Sequence, residues 1–245
     1  MAKFKVVQSS YGPILVNPND KFIAPSIEQT GTYSPDDIHL LTSLVEFLTK
    51  KNNQAVFYDV GANFGIHTLA IASRFGPAVS VRAFEAQPQL FYGLCGTVAL
   101  NGLTNVRCHN LAISDGSCKT IQFDLPDYDS PNNFGGLELV PARISDNSDM
   151  TKVGKETISC ATLSDFDERV DLIKMDIEGM EYLALCGASR LFDLHRPICF
   201  VEILKSDTNQ IQTFFAQKKY HILPFSGMDW LAIPSEFLDG GFILP

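Results

Sequence analysis

Asp176, Glu178 and Glu181 fall with Lys174 inside Lys174-Met175-Asp176-Ile177-Glu178-Gly179-Met180-Glu181, where an apolar run from Val170 meets a helical pattern. Helix capping accounts for one acid at such a junction, and Gly179 permits a tight turn. Neither explains three acids together with a lysine. Glu202, inside the apolar Phe200-Val201-Glu202-Ile203, adds a carboxylate of a kind that strands carry when it has a partner or a task. Carboxylates so grouped suit removal of a proton from a hydroxyl. Asp176, Glu178 and Glu202 are the candidates, with Glu178 the first choice for general base. Asp176 could instead hold a cofactor or the substrate, and Glu181 and Asn133 are candidate substrate contacts. Carboxylate oxygens could also hold Mg²⁺, but none is paired with a histidine, and no metal is expected.

The second chemical feature is Val56-Phe57-Tyr58-Asp59-Val60-Gly61-Ala62-Asn63-Phe64-Gly65-Ile66-His67-Thr68. It reads as an apolar strand, a glycine turn and a helix start, whose backbone N–H groups can cradle the polar end of a nucleotide-like ligand. The dinucleotide fingerprint requires a glycine where Asn63 stands. Asp59 would also repel a pyrophosphate. A ligand with a cationic, amino-bearing centre fits better, and S-adenosylmethionine carries both a sulfonium and an ammonium. His67 reads as a helix-surface or cofactor-edge residue rather than a base. Glu85, closing Val81-Arg82-Ala83-Phe84-Glu85, is placed to accept both hydroxyls of a ribose. Ser114-Asp115 could accept from an adenine amino group, although Asp115-Gly116 is also a turn signal.

Positioning these groups requires a particular frame. From residue 56 the pattern alternates, predicting strands over 56–60, 79–85, 106–114, 171–176 and 198–203. Helices are expected over 66–75, 89–101, 180–191 and 208–218. Such alternation implies an α/β fold, a parallel sheet with helices on both faces, which binds ligands outside the carboxyl ends of its strands. Asp59, Glu85, Asp115, Asp176 and Glu202 would then converge on one rim. Ahead lie a small hairpin (3–7 and 14–16) and a helix from Pro35 to about Lys50, capped by Ser34. Apolar runs at 220–224 and 230–234 suit an antiparallel pair at the sheet edge. Residues 125–155 form a polar stretch without periodicity, and its Asn132-Asn133-Phe134-Gly135-Gly136 reads as a substrate lid or as a plain surface excursion.

With 245 residues, 45% hydrophobic and 19% charged, the chain reads as one globular domain over 1–245. It divides into an N-terminal part of hairpin and helix (1–50), a cofactor-binding core (54–234) and, within that core, an expected substrate-side loop (125–155). A formal charge of −9 disfavours a nucleic-acid partner held by phosphate contacts. No apolar run is long enough to span a membrane, and Met1-Ala2-Lys3-Phe4-Lys5-Val6 does not read as a secretory signal. None of the 6 cysteines forms a C-x-x-C pair, so buried free thiols in a reducing cytoplasm are expected.

Taken together, Asp59-Val60-Gly61-Ala62-Asn63-Phe64-Gly65, Phe84-Glu85-Ala86-Gln87-Pro88, Ala112-Ile113-Ser114-Asp115 and the Lys174–Glu181 string resemble the FkbM family of S-adenosylmethionine-dependent methyltransferases. The resemblance runs from about Asn17 to Pro234. It implies a class I methyltransferase (Rossmann-like) fold with a seven-stranded, mostly parallel sheet. It also implies O-methylation of a hydroxyl on a sugar, lipid or natural-product small molecule. Asp59, Gly61, Ala62, Asn63, Gly65, Glu85, Ser114, Asp115 and Asp176 would contact the cofactor. Where the family often has Glu-Pro after the second strand, this chain has Glu85-Ala86-Gln87-Pro88, which should leave the ribose contact intact. A nicotinamide-dependent oxidoreductase on a similar sheet, or a binding module without catalysis, remain the alternatives. The acceptor and the oligomeric state are not legible.

Overall fold

The computed structural model describes residues 4–140 and 150–239. Strands β1 (Lys5–Ser9) and β2 (Gly12–Val16) form the N-terminal antiparallel hairpin. Helices α1 (Ile23–Thr30) and α2 (Pro35–Asn52) follow. The sequence pattern does not reveal α1, because it buries only Ile23, Ala24 and Ile27. The Asp20 carboxylate starts this helix, accepting from the backbone N–H groups of Phe22, Ile23 and Ala24 at 3.1, 2.6 and 3.0 Å. Ser34 does precede α2, but its φ of 48° is left-handed and its side chain makes no capping hydrogen bond. Asp36 and Asp37 in the first turn are left to complement the helix dipole.

The alternating core then runs β3 (Ala55–Val60), α3 (Ile66–Phe75), β4 (Val79–Phe84), α4 (Pro88–Leu100) and β5 (Val106–His109). A side excursion of β6 (Ala112–Ile113), β7 (Thr120–Pro126) and β8 (Lys152–Ala161) precedes β9 (Leu172–Met175), α5 (Glu181–Gly187), α6 (Ser189–His195) and β10 (Ile198–Glu202). Helix α7 (Thr208–Gln217), β11 (Tyr220–Pro224), β12 (Asp229–Pro234) and α8 (Ser235–Asp239) finish the described chain. The main sheet has seven strands in the order β11-β12-β10-β9-β3-β4-β5. Strands β10, β9, β3, β4 and β5 are parallel, and β12 runs antiparallel to its neighbours β10 and β11.

Alternating strand residues feed the two faces. Phe57, Leu172 and Phe200 pack with Leu41, Leu44 and Ile71 of α2 and α3. Tyr58, Ile173 and Val201 pack with Ala184, Phe192, Ile211 and Phe215 of α5, α6 and α7. Strand order reverses between β3 and β9, so the loops after them part there and leave a crevice.

Three sequence expectations change. The single strand expected over 106–114 breaks after His109, where the Asn110 side-chain amide donates to the carbonyls of Glu85 and Ala86 at 2.9 and 3.1 Å. Beyond the break, β6 leaves the main sheet and pairs with β8. The helix expected over 180–191 is two helices, interrupted at Ala188. Gly187 there lies so close to Ser114 that a Cβ would stand 2.2 Å from its carbonyl oxygen. Finally, the ends of the 125–155 stretch belong to the antiparallel pair β7–β8; its residues 141–149 lie outside the described ones. Among the described residues no helix is long and apolar enough to cross a membrane.

Candidate active site

The carboxyl ends of β3, β4, β9 and β10 face a cavity of about 280 Å³. Gly61, Ala62, Asn63 and Glu85 line one side, and Lys174, Asp176, Glu178 and Glu202 line the other. Asn133, Gly135, Gly136 and Leu137, from the segment beyond β7, contribute a wall.

The glycine turn does not offer free N–H groups. Gly61 and Ala62 N–H donate to the Phe84 carbonyl at 3.0 and 2.9 Å, and Gly65 N–H donates to the Ala62 carbonyl at 2.8 Å. Asn63 N–H donates to Glu85 Oε2 at 2.9 Å, and Phe64 N–H to Asn63 Oδ1 at 2.8 Å. Gly61 is required for a different reason: at φ 81°, a Cβ would lie 1.8 Å from the Asp176 carbonyl oxygen. The turn therefore packs directly on the end of β9. Glu85 is 6% exposed. Its Oε1 accepts Gln87 N–H at 2.8 Å, so each oxygen takes one backbone donor and keeps a second lone pair. Burial pushes the Glu85 carboxyl up to about 7, against the pull of the Gln87 and Asn63 N–H groups.

Asp59 lies beneath the turn, fully buried. Thr68 donates its hydroxyl to Asp59 Oδ2 at 2.6 Å, and the Lys174 ammonium stands 3.8 Å from Oδ1. That ammonium donates to the Gly61 carbonyl at 3.0 Å and to Asp176 Oδ2 at 3.3 Å. Burial pulls the Lys174 pKa down, but Asp176 and Asp59 outweigh it and hold the ammonium above its ordinary value. Lys174 is thus the fixed cation between the two strand ends.

Glu178 sits on the turn between β9 and α5 at φ 54°, followed by Gly179 at φ 98°. Glu181 holds that turn from behind, accepting Ile177 N–H at 2.9 Å and Gly179 N–H at 3.0 Å, and the Ser206 hydroxyl as well. One carboxylate oxygen each of Asp176, Glu178 and Glu202 lies within 4.8 Å of the others. Burial pushes the Glu178 carboxyl up to about 7, with Asp176 adding and Lys205 opposing. Burial, then Asp176 and Glu178, pushes Glu202 up to about 9. Such oxygens are of the type that ligate Mg²⁺, but Asp176 and Glu178 each already face a lysine.

The wall beyond β7 is packed. Phe134 is fully buried beside Tyr128, with ring centroids 4.9 Å apart. The Gln87 side-chain amide donates to the Phe134 carbonyl at 2.8 Å and its oxygen accepts the Tyr128 hydroxyl at 2.9 Å. The aromatic residue that suggested a lid is core.

Of the sequence candidates, Gly61, Ala62, Asn63, Glu85, Asn133, Asp176, Glu178 and Glu202 line the cavity, whereas Asp59, Gly65, Ser114, Asp115 and Glu181 do not. Asp59 and Glu181 are buried behind it as described, and Gly65 packs on Leu94 of α4. Ser114 N–H follows β6 to the Ala161 carbonyl at 2.9 Å, and Asp115 accepts Ser117 N–H at 2.9 Å. Leu111, Ala112 and Ile113 line the cavity instead. His67 is not on a helix surface. It is 7% exposed, lines the cavity, and its Nε2 is buried without a hydrogen-bond partner. Burial, then Lys174, lowers its pKa to about 3, so it is neutral. Sequence reasoning missed Gln87 and Lys205, whose partners lie far along the chain and leave no local pattern. Of the cysteines, all free, only Cys199 is buried and the others are half-buried.

Residues 59–242 match the family model of the methyltransferase FkbM domain. No curated protein matches the chain. Among solved structures, it is similar to methyltransferase FkbM from Methylobacillus flagellatus KT, with 18% identity and a TM-score of 0.51. That match covers 74% of this chain but only 43% of the other, so the chain spans less than half of that relative's length. A SAM-dependent methyltransferase from Aquifex aeolicus matches over 82% of this chain and 97% of its own, at 13% identity and a TM-score of 0.39. The Pyrococcus abyssi tRNA (uracil-54, C5)-methyltransferase, solved with S-adenosyl-L-homocysteine, matches over 94% and 43%, at 10% identity and a TM-score of 0.44.

Proposed function

The chain belongs to the FkbM methyltransferase family, and from that premise we propose that it transfers a methyl group from S-adenosylmethionine to a hydroxyl oxygen of a small molecule or carbohydrate. The observation that carries this reading is one cavity shared by the Asn63–Glu85 corner and the carboxylates Asp176, Glu178 and Glu202. The corner fits the nucleoside end of the cofactor. Glu85 keeps an acceptor lone pair on each oxygen, the number a ribose diol needs, Asn63 stands beside it, and Leu111–Ile113 supply an apolar wall for a base. Gly61 and Ala62 border the same end, while Asp59 and Gly65 support it from behind. Asp176 and the unpartnered His67 Nε2 face the remaining polar end.

Bound S-adenosylmethionine supplies a methyl group activated by its sulfonium. The protein must align the acceptor oxygen and take its proton. Glu178 is suited to receive it: a carboxyl near 7 is ionised in part at neutral pH and basic enough to accept. Glu178 would take the proton that the acceptor hydroxyl gives up when its oxygen receives the methyl group. Glu202, protonated at neutral pH, can donate a hydrogen bond to a second acceptor oxygen. Lys174 donates to Asp176 beside it and fixes that carboxylate at the end of β9.

Calorimetric titration separates this reading from a nicotinamide enzyme. S-adenosylhomocysteine should bind saturably and NADH should not, and the reverse pattern would replace the proposal with the oxidoreductase.

A further inference from the structure

Phe22, Leu204 and Met228 are 55%, 57% and 47% exposed, and all three line the cavity. They come from separate stretches: the residue before α1, the loop after β10, and the turn between β11 and β12. A single exposed apolar side chain is ordinary. Three that converge on the opening above a carboxylate floor form a directed apolar rim. Three side chains offer too little area for a stable protein interface.

The floor beneath is rich in carboxyl groups. Glu85, Asp176, Glu178 and Glu202 line it, and among the described residues Lys174 is the one lining cation. Its ammonium is already shared by Asp59 and Asp176. Lys205, beside Glu178, is likewise shared by Glu178 and Glu138. A phosphate or carboxylate on an incoming molecule would therefore find both ammonium groups already paired and would be repelled by the ionised carboxylates around it. A molecule whose polar end reaches Glu178 can lay the rest of itself across the rim.

We propose that the methyl acceptor is an amphiphile without anionic groups, its uncharged hydroxyl head seated on Glu178 and Glu202 and its apolar body laid across Phe22, Leu204 and Met228. This rests on the methyltransferase reading of the same cavity and narrows it to one chemical class. Free sugars lack the body, and phosphorylated sugars carry the wrong charge.

The test uses the full chain labelled with methyl-¹³C methionine and saturated with S-adenosylhomocysteine, with binding of that product measured first by calorimetry. The Met228 methyl resonance, assigned through Met228→Leu, is followed during titration with octyl glucoside below its micelle concentration, with glucose, and with octyl phosphate. Octyl glucoside should shift it saturably and bind at least ~10-fold tighter than glucose, the scale expected for covering part of an alkyl chain. Octyl phosphate should bind at least ~10-fold more weakly than octyl glucoside. Leu204→Ser, a change at an exposed side chain, should weaken octyl glucoside without lowering the affinity for S-adenosylhomocysteine. Equal affinity for glucose and octyl glucoside, equal affinity for octyl phosphate, or no shift at Met228 overturns the amphiphile. Failure of S-adenosylhomocysteine itself to bind overturns the methyltransferase reading instead.

Discussion

Lys205 places its ammonium 2.7 Å from Glu178 Oε2 and 3.2 Å from Glu138 Oε1, and donates to the Gly136 carbonyl at 2.9 Å. One side chain from the loop after β10 therefore joins the turn that carries Glu178 to the wall beyond β7. Glu178 otherwise faces Asp176, Glu181 and Glu202, all acidic. Removing the cation should raise its proton affinity further, because a carboxylate among carboxylates is easier to protonate. In Lys205→Met the Glu178 titration midpoint should rise by at least ~1 pH unit, read from ¹³C resonances of δ-labelled glutamate. Lys205→Arg should return it. An unmoved midpoint in Lys205→Met would show that the contact fixes the wall alone.

Glu178→Gln keeps the shape of the turn but removes the base. Affinity for S-adenosylhomocysteine should stay within a few-fold of the parent, while turnover of an accepted hydroxyl substrate falls at least ~100-fold. Undiminished turnover would transfer the role to Asp176 or Glu202.

Glu85→Ala should weaken S-adenosylhomocysteine at least ~10-fold by calorimetry, since the ribose loses its acceptor. The same change strips the Asn63 and Gln87 N–H groups of their partner, so thermal stability should fall as well. Glu85→Gln, which keeps one carbonyl oxygen in place, separates the two effects. Unchanged affinity in both variants would remove the ribose assignment.

Stability should depend on pH through the floor. The Glu202 carboxyl is pushed up from 4.5 to about 9 and Glu178 from 4.5 to about 7. Between the ordinary and the raised values the folded protein holds more protons than the unfolded chain. Folding is therefore favoured below about pH 4.5 by these two groups, and that contribution is lost as pH rises through about 7 and then about 9. Thermal melts from pH 6 to pH 9 should show the midpoint falling, as an expectation of roughly that titration range. Glu202→Gln should flatten the upper part of the fall, and an equally steep fall in that variant would place the linkage elsewhere.

Legibility followed the range of the interactions involved. The helix 66–75 and the strand beginnings at 79 and 198 were legible to the residue because periodicity, glycines and prolines act within a turn or two of chain. The edge pair of β11 and β12 was legible for the same reason. The break after His109 was not, because it depends on Asn110 reaching back to the carbonyls of Glu85 and Ala86. Helix α1 was missed because its start is set by one Asp20 carboxylate and its burial is slight.

By itself the sequence determined the alternating α/β architecture, the glycine turn after the first core strand, and the gathering of Glu85, Asp176, Glu178 and Glu202 at strand ends. Strand direction and side-chain alternation place such residues on one edge wherever the sheet is parallel. Only the tertiary structure decided which acids face the cavity and which are consumed behind it. Asp59 is held by Thr68 and Lys174, Glu181 by the turn it supports, and Asp115 is carried away by β6. It also brought Phe22, Leu204 and Met228 to the same opening, and Lys205 against Glu178. Those outcomes depend on contacts between residues distant in the chain, and such contacts exist only once the layers have packed.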